Sequence, residues 1–210
     1  PIFPIPPRAR IIDLGAHLGF FSIYAAGISD GASIIAVEAN PKTVPLLRTN
    51  LSRLKGCTSI DVRQAAIAAE PGKLSFLIHG GKAANVAGTL SRNTEKYSNL
   101  DQFITVEVEA LPLDELLSQP VDFLKCDVEG SEYAVLTPQL FRPALIRQAA
   151  VEFHDILLRA EEFTALIGGA LERGYSVFTS ANVPLPDLQA LARHTVGTHG
   201  AVQLKFASNS

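Results

Sequence analysis

Short runs of β-branched and other apolar residues alternate along the chain with stretches whose apolar positions recur at three- and four-residue steps. Arg10 to Leu14 (RIIDL) predicts a buried strand, and Gly19 to Ile28 a short apolar helix. Ser33 to Glu38 predicts the next strand. Asn40 and Pro41 follow as a cap and first-turn proline. Val44, Leu47, Leu51 and Leu54 then share one helical face, closed at Gly56. Ser59 to Ile67 predicts a third strand, and Leu74 to Ile78 a short one after the Pro71-Gly72 turn. Gly80 to Asn99 is rich in Gly, Asn and Ser with little periodicity, and a run of that kind often covers a ligand. Ile104 to Glu109 alternates as a half-exposed strand does. Val121 to Val128 (VDFLKCDV) predicts a strongly buried strand, Ser131 to Phe141 a helix stopped around Pro138, and Ala149 to His154 a further strand. Phe163, Leu166, Ile167, Ala170 and Leu171 line a helical face that ends at Gly174. Tyr175 to Thr179 and Ala201 to Phe206 predict a closing antiparallel pair.

Alternation of this kind builds βαβ units, so the expected fold class is α/β: an open, doubly wound, mostly parallel sheet of about seven strands. Ligands of such sheets bind beyond the carboxyl ends of the strands. No internal repeat is visible. We expect a proline-rich lead over residues 1–9 and a single domain over 10–210, with 79–99 a loop on the substrate side. The 210 residues are 47% hydrophobic, enough to bury a core and to exclude disorder. A net charge of −3 from 18 basic and 21 acidic residues leaves no footprint for nucleic acid and no polybasic membrane patch. Cys57 and Cys126 form no CxxC pair, which predicts reduced thiols and a cytoplasmic setting. No apolar run approaches the ~20 residues of a membrane span. The chain holds no methionine, so a segment upstream of Pro1 is expected.

The most informative stretch is Ile11-Ile12-Asp13-Leu14-Gly15-Ala16-His17-Leu18-Gly19-Phe20, where an acid and two glycines stand as a strand turns into a helix. Gly15 permits a tight turn and Gly19 a close approach. A dinucleotide fingerprint begun at Gly15 needs glycine at 17 and 20, where the chain has His17 and Phe20. Asp13 would also repel a diphosphate. It suits a positively charged ligand, such as an amino group or a sulfonium. Glu38 ends the second strand, where a carboxylate of a βαβ unit accepts from both hydroxyls of a ribose. Its plainer role would be to cap the next helix, a place Asn40 already fills. Together these features predict a nucleoside cofactor bound without phosphates.

The runs IIDLGAHLGFFSI, AVEANPKTVPLLRTNL, AAIAAEPGKLSF and LKCDVEGSEYAVL resemble the FkbM-type methyltransferases of the class I, S-adenosylmethionine-dependent group. The likeness extends from about Arg10 to His154 and includes Leu113-Asp114. Its most family-specific piece is Asp127 to Glu132 (DVEGSE). The resemblance implies a Rossmann-like sheet of seven strands with the last antiparallel, and methyl transfer to a hydroxyl of a sugar or small natural product. It implies S-adenosyl-L-methionine as cofactor, held around Asp13, Gly15, Ala16, His17, Gly19, Glu38, Ala66 and Asp127. Asp127 would lie near the methionine moiety, and Ala65, Ala66 and Ile67 beside the adenine. His17 stands where relatives commonly carry Asn or Asp. The family also has chain upstream of the glycine loop that often covers the site.

An alcohol acceptor needs a base for its proton, or a metal to lower its pKa. Glu152 and His154 alternate on one face of their strand and are costly to bury without partners. They are the candidates on the acceptor side, with His154 as general base and Asp127 beside it. The plainer readings are that His154 is a solvated strand end, that Asp127 and Glu129 cap the helix near Ser131, and that Glu132 is a first-turn helical carboxylate. Asp127, Glu152 and His154 could also offer an acid-rich face to a divalent metal, but no compact ligand motif supports one. The expected partner is a small-molecule or glycan acceptor, with no nucleic acid and no membrane. Two alternatives stand beside this reading: a non-catalytic S-adenosylmethionine-binding module and, behind it, a nicotinamide-dependent oxidoreductase.

Overall fold

A computed structural model describes residues 4–55, 59–79, 88–90, 102–195 and 201–208. The first half runs β1 (Arg10–Leu14), α1 (Phe20–Ile28), β2 (Ser33–Glu38), α2 (Val44–Leu51), β3 (Ser59–Gln64), β4 (Ala66–Ala68), β5 (Gly72–His79), β6 (Gly88–Leu90) and β7 (Phe103–Pro112). After a 3-10 turn at Leu113–Leu116 come β8 (Phe123–Cys126), α3 (Glu132–Val135), β9 (Gln148–Phe153), α4 (Ala160–Glu172), β10 (Tyr175–Thr179), α5 (Leu188–Thr195) and β11 (Val202–Ser208). Seven strands form one sheet in the order β10-β11-β9-β8-β1-β2-β3. Strand β11 is antiparallel to both its neighbours, and every other pairing in that sheet is parallel.

Both faces of this sheet are covered, which is why its central strands read as near-continuous apolar runs. Ile12 and Leu14 enter the larger core with Leu124, Cys126 and Val151, while Ile11, Ile34 and Phe123 pack on the opposite face against Ala25 and Ala26 of α1. The larger core is stiffened by aromatic contacts. Phe141 lies 4.9 Å from both Tyr175 and Phe206, and the Tyr175 hydroxyl donates to the Ile146 carbonyl at 2.6 Å. From β1 the chain proceeds outward through β2 and β3. It then returns to β8 on the other side of β1, so the strand order reverses between β1 and β8. That switch point leaves a crevice at the carboxyl ends of the strands.

Several elements depart from the sequence expectation. The strand predicted over Ser59 to Ile67 breaks at Ala65: β3 stays as the half-exposed edge of the main sheet, while β4 crosses to pair with β7. A second sheet of order β4-β7-β5-β6 results. Residues Ala66 to Ala68 are buried on all sides, so alternation gave no sign of the crossing. Within the stretch expected to be a structureless loop, Gly88–Leu90 pair with Phe76 to Ile78 as β6. The remainder of 80–99, together with Gly56 and Cys57, lies outside the described residues. The helix expected over Ser131 to Phe141 shrinks to α3, because Pro138 cannot donate and disfavours helical backbone at Thr137. Helix α5 was not anticipated. It is largely exposed, with Leu191 buried, and Asp187 Oδ1 caps it by accepting from Ala190 N at 2.7 Å. Among the described residues no helix is long and apolar enough to cross a membrane.

Candidate functional site

The crevice between β1 and β8 opens into a cavity of about 530 Å³. Its floor depends on Gly15. This residue has φ +70°, and a Cβ there would stand 1.8 Å from the Asp127 carbonyl oxygen. The loops after β1 and β8 are in contact through that missing side chain. Gly15 N and Ala16 N both donate to the Val37 carbonyl at 2.9 Å, which ties the loop to the end of β2 as well. Gly15, Ala16 and His17 line one wall. Ala65, Ala66, Ile67 and Phe76 form an apolar wall, and Asp127, Val128 and Glu129 close the side toward β8.

Glu38 ends β2 on the cavity wall with a carboxylate gripped from behind. His17 N donates to Oε2 and Asn40 N to Oε1, each at 2.8 Å. Each oxygen keeps acceptor capacity for a further donor. Burial is the largest influence on this group and pushes its pKa above the ordinary 4.5, against the two N–H donors.

Asp13 does not face the cavity. The residue is 0% exposed, its Oδ2 accepts from Ser22 Oγ at 2.7 Å, and its Oδ1 lies 3.7 Å from Lys125 Nζ. Asp13 and Lys125 are direct cross-strand neighbours in the β1–β8 register. Burial raises the Asp13 pKa, with Lys125 and Ser22 pulling it back. Lys125 Nζ also donates to the Gly15 carbonyl at 2.7 Å and approaches Asp127 Oδ2 at 3.4 Å. Direct contact between Asp13 and a ligand is therefore corrected: Asp13 shapes the site through Lys125 and the loop. Lys125 lines the cavity and was missed from sequence, where it read as one more residue of a buried strand. Gly19 is likewise off the wall, because its absent Cβ would meet Leu47 Cδ1 at 2.8 Å and Leu51 Cδ2 at 3.0 Å. It makes room for α2.

Asp127 joins the cavity to a second cluster. His154 follows β9, and its side chain is 11% exposed. Its Nε2 lies 3.6 Å from Glu129 Oε2, 3.8 Å from Glu152 Oε1 and 3.9 Å from Asp127 Oδ1. Its Nδ1 is 3.0 Å from Oε1 of Glu132. Glu132 stands in the first turn of α3 as expected, yet it is wholly buried, and the same Oε1 accepts from Val128 N and Gly130 N at 3.2 Å. Sequence reasoning did not connect it to His154. The Tyr133 hydroxyl donates to the His154 carbonyl at 2.8 Å, and Gln203 donates to Glu152 Oε2 at 2.6 Å from the adjacent position on β11. His154 is thus an oriented group and not a solvated strand end.

Asp127, Glu152 and His154 each offer a ligand atom, all within 4.8 Å of one another, a set that could hold a divalent ion. Positive φ at non-glycine residues also concentrates here. Of the five described, His17, Glu129 and Asp155 stand in the loops after β1, β8 and β9, and such strain gathers at functional sites. The structure thus gathers Gly15, Ala16, His17, Glu38, Ala66 and Asp127 around the cavity, with Glu152 and His154 adjoining it through Asp127.

Comparison with known proteins agrees with this architecture. The methyltransferase FkbM domain matches residues 13–177. Methyltransferase 1 of Beauveria bassiana (strain ARSEF 2860) is 24% identical over 150 residues, 64% of this chain and 60% of that protein. Methyltransferase sdnD of Sordaria araneosa is 24% identical over 157 residues, 63% of this chain and 61% of its own length. The chain thus spans about three-fifths of the curated relatives it matches. Among solved structures, the fibrillarin pre-rRNA processing protein of Methanococcus jannaschii superposes with a TM-score of 0.51 at 14% identity, covering 100% of this chain and 70% of that one, a likeness of fold.

Proposed function

The chain belongs to the family of the methyltransferase FkbM domain, and from that premise we propose that it transfers a methyl group from S-adenosyl-L-methionine to a hydroxyl of a small molecule, a sugar or a natural product. The observation that carries the cofactor assignment is the Glu38 carboxylate at the tip of β2, held by two backbone N–H groups on the cavity wall. The group fits what surrounds it. Gly15 lets the loops after β1 and β8 meet to form the floor, where any Cβ would strike the Asp127 carbonyl, and Ala65, Ala66 and Ile67 offer an apolar face for a flat base. The wall carries Glu38, Asp127 and Glu129 against Lys125, a balance that favours a cation over a diphosphate. When bound, S-adenosyl-L-methionine supplies a methyl carbon whose bond to a positively charged sulfur breaks with the electron pair leaving on sulfur.

The chain's own residues do the rest. Glu38 accepts from the ribose hydroxyls, and Gly15 to His17 with Asp127 surround the amino-acid end. His154 takes the proton of the acceptor hydroxyl on Nε2 as the oxygen attacks. Glu152 and Asp127 offset the charge that the imidazole then carries. Three carboxylates around Nε2 favour a neutral or cationic acceptor over an anionic one.

Calorimetry with S-adenosylhomocysteine and with NAD tests the assignment. The first should bind and the second should not. Glu38→Ala should weaken S-adenosylhomocysteine binding roughly 10- to 150-fold, since hydrogen bonds to a charged group are worth about 1.5–3 kcal/mol. Binding of NAD alone, or equal affinity in the variant, would overturn it. Methyl uptake across a panel of hydroxylated sugars and natural products then identifies the acceptor, and failure of the whole panel beside nucleophilic nitrogen compounds that do react would reject a hydroxyl acceptor.

A further inference from the structure

A carboxylate with no exposure at all, in the first turn of the short helix after β8, needs a reason. Glu132 has its Oε1 within 3.2 Å of two backbone N–H groups, those of Val128 and Gly130. An oxygen already receiving two N–H donors stands as an acceptor toward its third neighbour as well. That neighbour is His154 Nδ1, at 3.0 Å. Nδ1 must therefore carry the hydrogen, and in the neutral ring the lone pair then resides on Nε2. The backbone of His154 is held as well, because the Tyr133 hydroxyl donates to its carbonyl and Arg159 lies 4.3 Å from the Tyr133 ring centre. Nε2 is the nitrogen that faces Asp127, Glu129 and Glu152.

We propose that Glu132 is the positioning residue of this site: it keeps His154 in its Nδ1–H form and so presents the basic Nε2 to the acceptor hydroxyl. This rests on the reading of His154 as the base. In the step it serves, the acceptor's O–H bond breaks and its proton forms a new N–H bond with the Nε2 lone pair. The O–H electron pair stays on oxygen and makes the bond to the methyl carbon. The resulting imidazolium is held between Glu132 behind Nδ1 and the three carboxylates ahead of Nε2. A ring with the opposite tautomer would present a donor where the reaction needs an acceptor.

Nitrogen-15 NMR of the full chain labelled at histidine tests this without knowledge of the acceptor. The His154 signals are assigned by their loss in His154→Gln, at a pH where the ring is neutral. The wild type should show a protonated Nδ1 and an unprotonated Nε2. Glu132→Gln, whose amide oxygen can keep all three contacts, should retain that form. Glu132→Leu should lose it and show hydrogen on Nε2, with turnover of the identified acceptor lower by roughly 10- to 100-fold and S-adenosylhomocysteine affinity within about twofold. An Nε2–H ring in the wild type, or an unchanged ring in Glu132→Leu, would overturn the positioning role. If Glu132→Leu does not fold, the wild-type tautomer and its retention in Glu132→Gln decide the matter. Full turnover by His154→Gln would instead remove the base, a failure of the underlying reading that the ring spectrum tells apart.

Discussion

Replacing Gly15 by Ala is the most searching single perturbation of the site, because two costs can be read from the backbone. The residue sits at φ +70°, where an L side chain costs about 1–2 kcal/mol. At roughly 2–4 °C per kcal/mol for a chain of this size, the torsion alone lowers Tm by roughly 2–8 °C. The added Cβ would also lie 1.8 Å from the Asp127 carbonyl oxygen, and that atom is backbone and cannot swing aside. The loops after β1 and β8 must separate by on the order of 1 Å, and a displacement of that size costs about 100-fold where groups are held for reaction. Lys125, whose Nζ spans the Gly15 carbonyl and Asp127, is pulled from its place in the same movement. Thermal denaturation measures the first loss and turnover the second, with S-adenosylhomocysteine calorimetry reporting the disturbed cavity itself. Gly27→Ala is the internal control: it lies in α1 with nothing within 4 Å of the new methyl, and it should gain roughly 0.5–1 kcal/mol. A Gly15→Ala protein with wild-type melting and wild-type affinity would refute the picture of two loops meeting over a missing side chain.

Other tests address the charges. Burial lifts the Glu38 pKa above its ordinary 4.5, so S-adenosylhomocysteine affinity should begin to fall, as pH drops, before an ordinary glutamate would protonate. The same raised pKa contributes stability that is present at low pH and lost as pH rises through the folded-state value. Affinity and this stability term therefore move in opposite directions on mild acidification, and parallel calorimetric and thermal titrations that moved together would refute the assignment. Lys125→Met should cost about 3 kcal/mol by stranding buried Asp13, with most of it recovered in the Asp13→Asn, Lys125→Met double variant. Urea denaturation of the cycle decides, and additive losses would mean the pair is not coupled. Thorough chelation should leave turnover intact, since Nε2 of His154 is assigned to the proton. Loss of turnover restored by a divalent ion would move Asp127, Glu152 and His154 to metal binding.

The amino-acid sequence by itself determined the strands of the main sheet, the doubly wound α/β class, the glycine turn and the acid at the tip of β2. Each depends on neighbours a few residues apart: apolar runs for strands covered on both faces and glycine for a left-handed turn. Asn40 and Pro41, expected to cap and open α2, instead make the turn before it, with Asn40 Oδ1 accepting from Lys42 N, and the helix begins at Val44 after Thr43. What reading along the chain could not supply are contacts made by register. Asp13 and Lys125 become neighbours only when β8 lies beside β1, and Glu152 meets Gln203 only across β9 and β11. That pairing turned Asp13 from a presumed contact into a buried support and brought Lys125 into the wall. Glu132 has the composition of an ordinary first-turn acid until β9 delivers His154 to it. The break at Ala65 was hidden for the same reason, since residues buried between two sheets carry no alternation to mark where one ends. Local patterns encode elements, and the chemistry of this site resides in where distant elements meet.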